Sequence, residues 1–125
     1  MPHVLIVEDD SDLRELLRVT LELQGYTADT AGDGEQALKK MRDQRPRLVL
    51  LDLMMPVMDG WTFRARQLGD PAIADVPVIC VSGEFDTNEV TARLQLPCLP
   101  KPLDYGTLLS TVSAACPVGT ESQSF

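Results

Sequence analysis

Four short apolar runs in this sequence each lead into residues able to do chemistry. Val4-Leu5-Ile6-Val7 precedes Glu8-Asp9-Asp10, and Leu48-Val49-Leu50-Leu51 precedes Asp52. Val76-Pro77-Val78-Ile79-Cys80-Val81 precedes Ser82, and Leu96 to Leu99 precedes Pro100-Lys101. Brought together, these side chains form a cluster of carboxylates with one hydroxyl and one ammonium. Clustered carboxylates repel one another, which raises their pKa values and opposes folding unless a cation sits among them. Mg²⁺ suits such a set. It prefers hard oxygen ligands, takes one or two carboxylates, and keeps positions for water and phosphate oxygens. Lys101 adds a compact point charge, and Ser82 a hydrogen bond to a phosphoryl oxygen. A carboxylate held in that field can act as a nucleophile and form an acyl phosphate. The parts for Mg²⁺-assisted phosphoryl transfer to Asp52 are therefore all in the sequence.

Whether they converge depends on the elements between them. The first three runs read as buried strands, Leu96 to Leu99 as a candidate fifth strand, and Tyr26 to Thr30 as a weaker one. Ser11 to Gln24 carries Leu13, Leu16, Leu17, Leu21 and Leu23 at near-helical spacing, with Asp10 or Ser11 as cap and Gly25 as the left-handed stop. Gly32 to Arg45 reads as a second helix on a stripe of Ala37, Leu38 and Met41, stopped by Pro46. Further helices are expected from Gly60 to Leu68, from Thr87 to Leu94, and from an Asp104 cap to Ala115 with Leu108, Leu109 and Val112 inward. Gly69-Asp70-Pro71 breaks the third of these five helices. Strands that alternate with helices give a parallel sheet covered on both faces, and right-handed crossovers make it a doubly wound α/β sandwich. Ligands of such a sheet bind at the carboxyl ends of its strands, where all the reactive residues lie.

The bulk numbers agree with one domain. A chain of 125 residues is 44% apolar and 24% charged, and can bury a sizeable core without a disulfide or metal staple. A domain over 1–116 and a loose tail over 117–125 are expected. The net charge of −8 repels phosphate backbones and anionic membranes, so direct binding to nucleic acid or to a membrane is not expected. Cys80, Cys98 and Cys116 are odd in number and lack metal-site spacing, which suits a reducing cytoplasm. No apolar stretch approaches the ~20 residues of a membrane span, and no signal peptide is expected from the start at Met1-Pro2-His3. His3 is the sole histidine, so histidine-based catalysis is nearly excluded.

Val7-Glu8-Asp9-Asp10, Leu51-Asp52-Leu53-Met54-Met55-Pro56-Val57-Met58-Asp59-Gly60, Val78-Ile79-Cys80-Val81-Ser82-Gly83 and Pro100-Lys101-Pro102 together resemble the receiver domain of bacterial two-component response regulators. Each motif alone is weak; four in order are specific, and the match covers roughly residues 3–115. The resemblance implies a flavodoxin-like five-stranded sheet in strand order 2-1-3-4-5. It implies Asp52 as phosphoacceptor, Ser82 as the switch hydroxyl and Lys101 as the phosphate-contacting lysine. It also implies Asp9 as a direct Mg²⁺ ligand, Glu8 as a direct or water-mediated one, and the Met54 carbonyl as another. A cis Lys101–Pro102 bond belongs to the same pattern. The implied partners are a histidine kinase or histidine phosphotransfer protein upstream and an unnamed protein downstream. Such a protein is not a turnover enzyme, although it assists its own phosphorylation and dephosphorylation. Met54 and Glu84 flank the site where the family tunes phosphoryl lifetime.

Two departures stand out. The family usually carries Tyr or Phe three residues before the lysine, and here that residue is Cys98. The stretch between Ser82 and Lys101 is also shorter than the family's usual one and lacks its Gly-Ala turn. Both fall where the output face normally forms, which keeps open a module that binds partners without phosphorylation. An aspartate-nucleophile phosphohydrolase is a weaker rival, because the second Asp expected two positions after the nucleophile is Met54. Some acids need no function. Asp10 and Asp59 read as helix caps, Trp61 as a partly buried packing residue, and Cys80 and Cys116 as small apolar ones.

Overall fold

The computed structural model describes residues 3–54, 58–83 and 87–117. Met55, Pro56, Val57 and Glu84 lie outside the described residues, as does the expected tail beyond Pro117. Strands and helices alternate strictly: β1 (His3–Val7), α1 (Ser11–Leu23), β2 (Thr27–Ala31), α2 (Gly34–Asp43), β3 (Leu48–Asp52), α3 (Gly60–Leu68), β4 (Val78–Ser82), α4 (Thr87–Leu94), β5 (Cys98–Pro100) and α5 (Tyr105–Ala115). All strand pairs are parallel, in the order β2-β1-β3-β4-β5. This is the expected doubly wound sheet in the expected order.

The apolar runs are continuous because the central strands face protein on both sides. Successive residues of β3 belong to different layers. Val49 and Leu51 join a core with Ala37, Leu38 and Met41 of α2, Phe63 of α3 and Val90 of α4. Leu48 and Leu50 join the opposite core with Leu17 and Leu21 of α1 and Leu108 and Val112 of α5. The alternation follows from the two-residue period of a strand. Because all pairs are parallel, the carboxyl-terminal residues of β1, β3 and β4 line a common edge of the sheet.

Several boundaries differ from the sequence expectation, each for a local reason. Strand β4 begins at Val78 instead of Val76, because Pro77 has no N–H for the ladder; its carbonyl still accepts from Val49 N. Pro97 likewise delays β5 to Cys98, while Pro100 is tolerated within it because β5 is an edge strand. Helix α2 starts at Gly34, two residues late, because Asp33 caps it by accepting from Gln36 N. Tyr26 falls just outside β2; its hydroxyl donates to the Cys116 carbonyl at 2.7 Å and ties β2 to the end of α5. On α1 the apolar spacing overreaches. Leu17 and Leu21 are buried and Leu13 packs on them, but Leu16 and Leu23 are exposed. Gly25 does take the left-handed backbone expected of it, with φ 96°. Gln95, after α4, has φ 56°, a conformation that carries a steric cost for a residue with a Cβ.

Candidate phosphoacceptor site

Glu8 follows β1 directly, and its N–H still donates to the Ala31 carbonyl of β2 at 3.1 Å. Its carboxylate is buried at 3% exposure and accepts from Asp10 N through Oε2 at 3.2 Å. Asp10 turns away to cap α1, accepting from the N–H groups of Asp12 and Leu13. Between them Asp9 is exposed at the mouth of the edge. Asp52 ends β3 in register with Val81 of β4 and is 5% exposed. Its Oδ1 accepts from Met54 N at 3.1 Å, which fixes the carboxylate against its own backbone. Carboxylate oxygens of Glu8, Asp9 and Asp52 all lie within 4.8 Å of one another.

Lys101 enters from β5. Its N–H donates to the Ser82 carbonyl at 3.0 Å, and a Cβ built on Gly83 would stand 3.3 Å from Lys101 Cβ, so the lysine side chain leaves the backbone beside the end of β4. The ammonium reaches Glu8 Oε1 at 3.0 Å and Asp52 Oδ2 at 3.3 Å. Ser82 closes β4 and is 1% exposed. The Lys101–Pro102 bond is cis, as expected. Asp52, Ser82, Lys101, Glu8 and Asp9 thus converge on one edge. The Met54 amide is beside them, and its side chain is exposed.

Electrostatics at this edge are under tension. Burial, with the Asp52 carboxylate beside it, pushes Glu8 up to about 7, against the opposing pull of Lys101 and the Asp10 N–H. Burial alone would lower the Lys101 pKa, but its hydrogen bond to Glu8 and the charges of Asp52 and Glu8 outweigh that and raise it. Of the three carboxylates, Glu8 and Asp52 share the one ammonium, and Asp9 adds a further negative charge. A hard-oxygen donor set with an uncompensated excess of negative charge fits a divalent cation.

A glycine and a helix cap fix the start of α3. A Cβ on Gly60 would come within 2.7 Å of Leu53 Cα and 3.3 Å of the Asp52 carbonyl, so only glycine lets α3 begin this close to β3. Asp59 caps α3 by accepting from Thr62 N at 2.8 Å, as the sequence suggests. Arg14 was not evident from the motifs. Its Nη1 donates to the Glu8 carbonyl at 2.8 Å and braces the turn that carries the acidic pair. The only sequence signal for it is a basic residue one helical turn after the Asp10 cap.

The response regulator receiver domain model matches residues 4–113. The response regulator MprA of Mycobacterium ulcerans is 35% identical over 117 residues, which cover 90% of this chain and 49% of that protein. The DNA-binding response regulator MtrA of Mycobacterium tuberculosis is 38% identical over 93 residues, covering 74% of this chain and 40% of that protein. Among solved structures, the chemotaxis protein CheY4 of Vibrio cholerae superposes with a TM-score of 0.83 at 29% identity, covering 92% of this chain and 98% of that one. A response regulator receiver protein from Pseudomonas putida gives 0.83 at 32% identity, with 90% and 96% covered. The chain belongs to the response regulator receiver domain family, the receiving modules of two-component signal transduction. It spans about half or less of the length of the curated relatives it matches. Among the described residues no helix is long and apolar enough to cross a membrane.

Proposed function

We propose that Asp52 is the phosphoacceptor of this receiver, and that phosphorylation changes the surface it offers to a downstream protein. The observation that carries the reading is the buried Asp52 carboxylate at the end of β3, with Lys101 Nζ 3.3 Å away and two further carboxylates within 4.8 Å. The donor is a phosphohistidine on a histidine kinase or phosphotransfer protein. An Asp52 carboxylate oxygen attacks phosphorus, the P–N bond to histidine breaks, and an acyl phosphate forms. Lys101 turns its ammonium from Asp52 to a phosphoryl oxygen, and the Ser82 hydroxyl donates to another. Mg²⁺, held by Glu8, Asp9, Asp52 and the Met54 carbonyl, would supply charge neutralisation for the phosphoryl oxygens. Glu8 and Asp9 otherwise keep the edge negative, and Glu8 holds Lys101 in place.

The receiver spans 1–116 and acts in the cytoplasm through protein contacts, a reading supported by the −8 charge and by three cysteines, an odd number without metal-site spacing. It is not a turnover enzyme: Met54 stands where an aspartate-nucleophile phosphohydrolase would carry its acid/base. Incubation with Mg²⁺ and acetyl phosphate tests the proposal by intact mass. The expected result is one added phosphoryl group, abolished by chelation and by Asp52→Asn. A folded protein that neither gains the group nor binds beryllofluoride would be a phosphorylation-independent interaction module instead.

A further inference from the structure

Cys98 takes the place where the family carries an aromatic residue, and β5 sets it in register with Cys80 of β4. Partnered residues of adjacent parallel strands project to the same face of the sheet. Both thiols accordingly join one core, Cys80 inside it and Cys98 packed against it, whereas Cys116 lies in the core on the opposite face. Adjacent strands run about 4.8 Å apart, inside the roughly 4.4–6.8 Å between Cα atoms that a disulfide spans. Cys80 is fully buried and Cys98 half-buried, so an oxidant from solvent meets Cys98 first. A third group belongs to the cluster. Arg64 of α3 lies close enough to Cys80 for the two to interact electrostatically, and its buried Nε has no hydrogen-bond partner. Its Nη1 is taken by Gln67 Oε1 at 2.7 Å.

We infer that Cys80 and Cys98 form a two-thiol modification site, which a hydroperoxide closes into an intramolecular disulfide linking β4 to β5. The Cys98 thiolate attacks an oxygen of hydrogen peroxide. The O–O bond breaks, one hydroxide leaves and is protonated to water, and the Cys98 sulfur is oxidised to a sulfenic acid. The Cys80 thiolate then attacks that sulfur. The S–S bond forms, the S–O bond breaks, and the second hydroxide leaves as water. Two thiols and one peroxide give one disulfide and two waters. Arg64 offers its charge to the Cys80 thiolate. Burial nonetheless pushes Cys80 up to about 12, with Cys98 adding to the rise and Arg64 opposing it, and burial also raises Cys98. Closure is therefore slow near neutral pH and quickens as pH rises.

The disulfide sits two residues before Ser82 on one strand and three before Lys101 on the other. Closing it staples together the two strands that carry the hydroxyl and the ammonium. This consequence rests on the phosphoacceptor reading; the disulfide itself does not.

The experiment exposes the full chain to hydrogen peroxide across pH 7 to 9 and maps disulfides in unreduced peptides. The expected product is a monomer two hydrogens lighter, with a Cys80–Cys98 linkage reversed by dithiothreitol and formed faster at higher pH. Cys116→Ala should form it as the unaltered chain does, Cys98→Ser and Cys80→Ala should not, and Arg64→Gln should form it severalfold more slowly. Folded protein with both thiols still free, Cys98 carried on to sulfinic acid, or intermolecular dimers through Cys98 would overturn the assignment. Acetyl phosphate labelling of the oxidised sample then reads the effect on Asp52 separately, so a lost linkage and a lost phosphoacceptor are told apart.

Discussion

The ammonium of Lys101 stands 3.0 Å from Oε1 of Glu8, at least as near as it stands to the Asp52 carboxylate it is expected to yield. The lysine thus divides its charge between two carboxylates that are both nearly inaccessible to water. Removing it strands both. Breaking a buried ion pair by deleting one partner costs about 3–5 kcal/mol, and the partial exposure of Lys101 screens part of that. Lys101→Met should lower the stability of the metal-free protein by about 2 kcal/mol on that scale. Urea denaturation checks this, and millimolar Mg²⁺ should restore much of the loss.

Glu8 gives the pH dependence its sign. Its folded pKa, about 7, exceeds its ordinary 4.5, so the fold binds the protonated form more tightly than the unfolded chain does. The stabilising contribution is fully present below pH 4.5 and is lost as pH rises through 7. Metal-free protein should lose stability across that window, and Glu8→Gln should flatten the profile. Denaturation midpoints at steps between pH 5 and 8 make the measurement. Mg²⁺ binding should release protons within the same window, because the ligand must be ionised; calorimetry in two buffers of different ionisation enthalpy reads that release.

Glu8, Asp52 and Ser82 are legible because each ends an apolar run that reads as a buried strand, and a parallel sheet brings such ends together; Lys101 follows a weaker run, which forms the edge strand β5. The helix stripes at Ala37, Leu38 and Met41, and at Leu108 and Val112, were equally plain. Strand starts at Pro77 and Pro97 were misplaced because hydrophobicity continues across a proline while the hydrogen-bond ladder cannot. Leu16 and Leu23 misled for the opposite reason. Periodicity marks which residues are apolar, and only the packing of α1 decides that two of them face water. Arg14 was invisible because its partner is a backbone carbonyl, which leaves no mark in a sequence. The pairing of Cys80 with Cys98 depends on the register of β5, and that was fixed only once Pro97 had set where the strand begins.

Gly60 is the tightest steric point near Asp52. An added Cβ would meet Leu53 Cδ2 at 2.6 Å and Leu53 Cα at 2.7 Å, and the second is backbone that cannot rotate away. Gly60→Ala should cost about 1–3 kcal/mol, the range for overpacking a filled core. Because the displaced residue is the neighbour of Asp52, acetyl phosphate labelling should slow as well, at a temperature where the variant is still folded by circular dichroism.

Asp52 and Asp59 are both acids at element ends, but they do opposite things. Asp59 caps α3 through Thr62 N at 2.8 Å, and loss of such a cap typically costs about 1 kcal/mol. Asp59→Ala should lose that stability and still accept a phosphoryl group. Asp52 is instead buried beside Glu8, where its charge opposes the ionisation of its neighbour. Asp52→Asn removes the proposed acceptor and one of the crowded charges together. It should gain no phosphoryl mass, keep or raise the stability of the metal-free protein, and let Glu8 ionise at lower pH. The repulsion then falls on neither side chain, and the slope of stability against pH between 4.5 and 7 should become shallower than in the unaltered chain. A single pair of denaturation series on the two variants separates an acid that builds the fold from one that the fold has to hold in place.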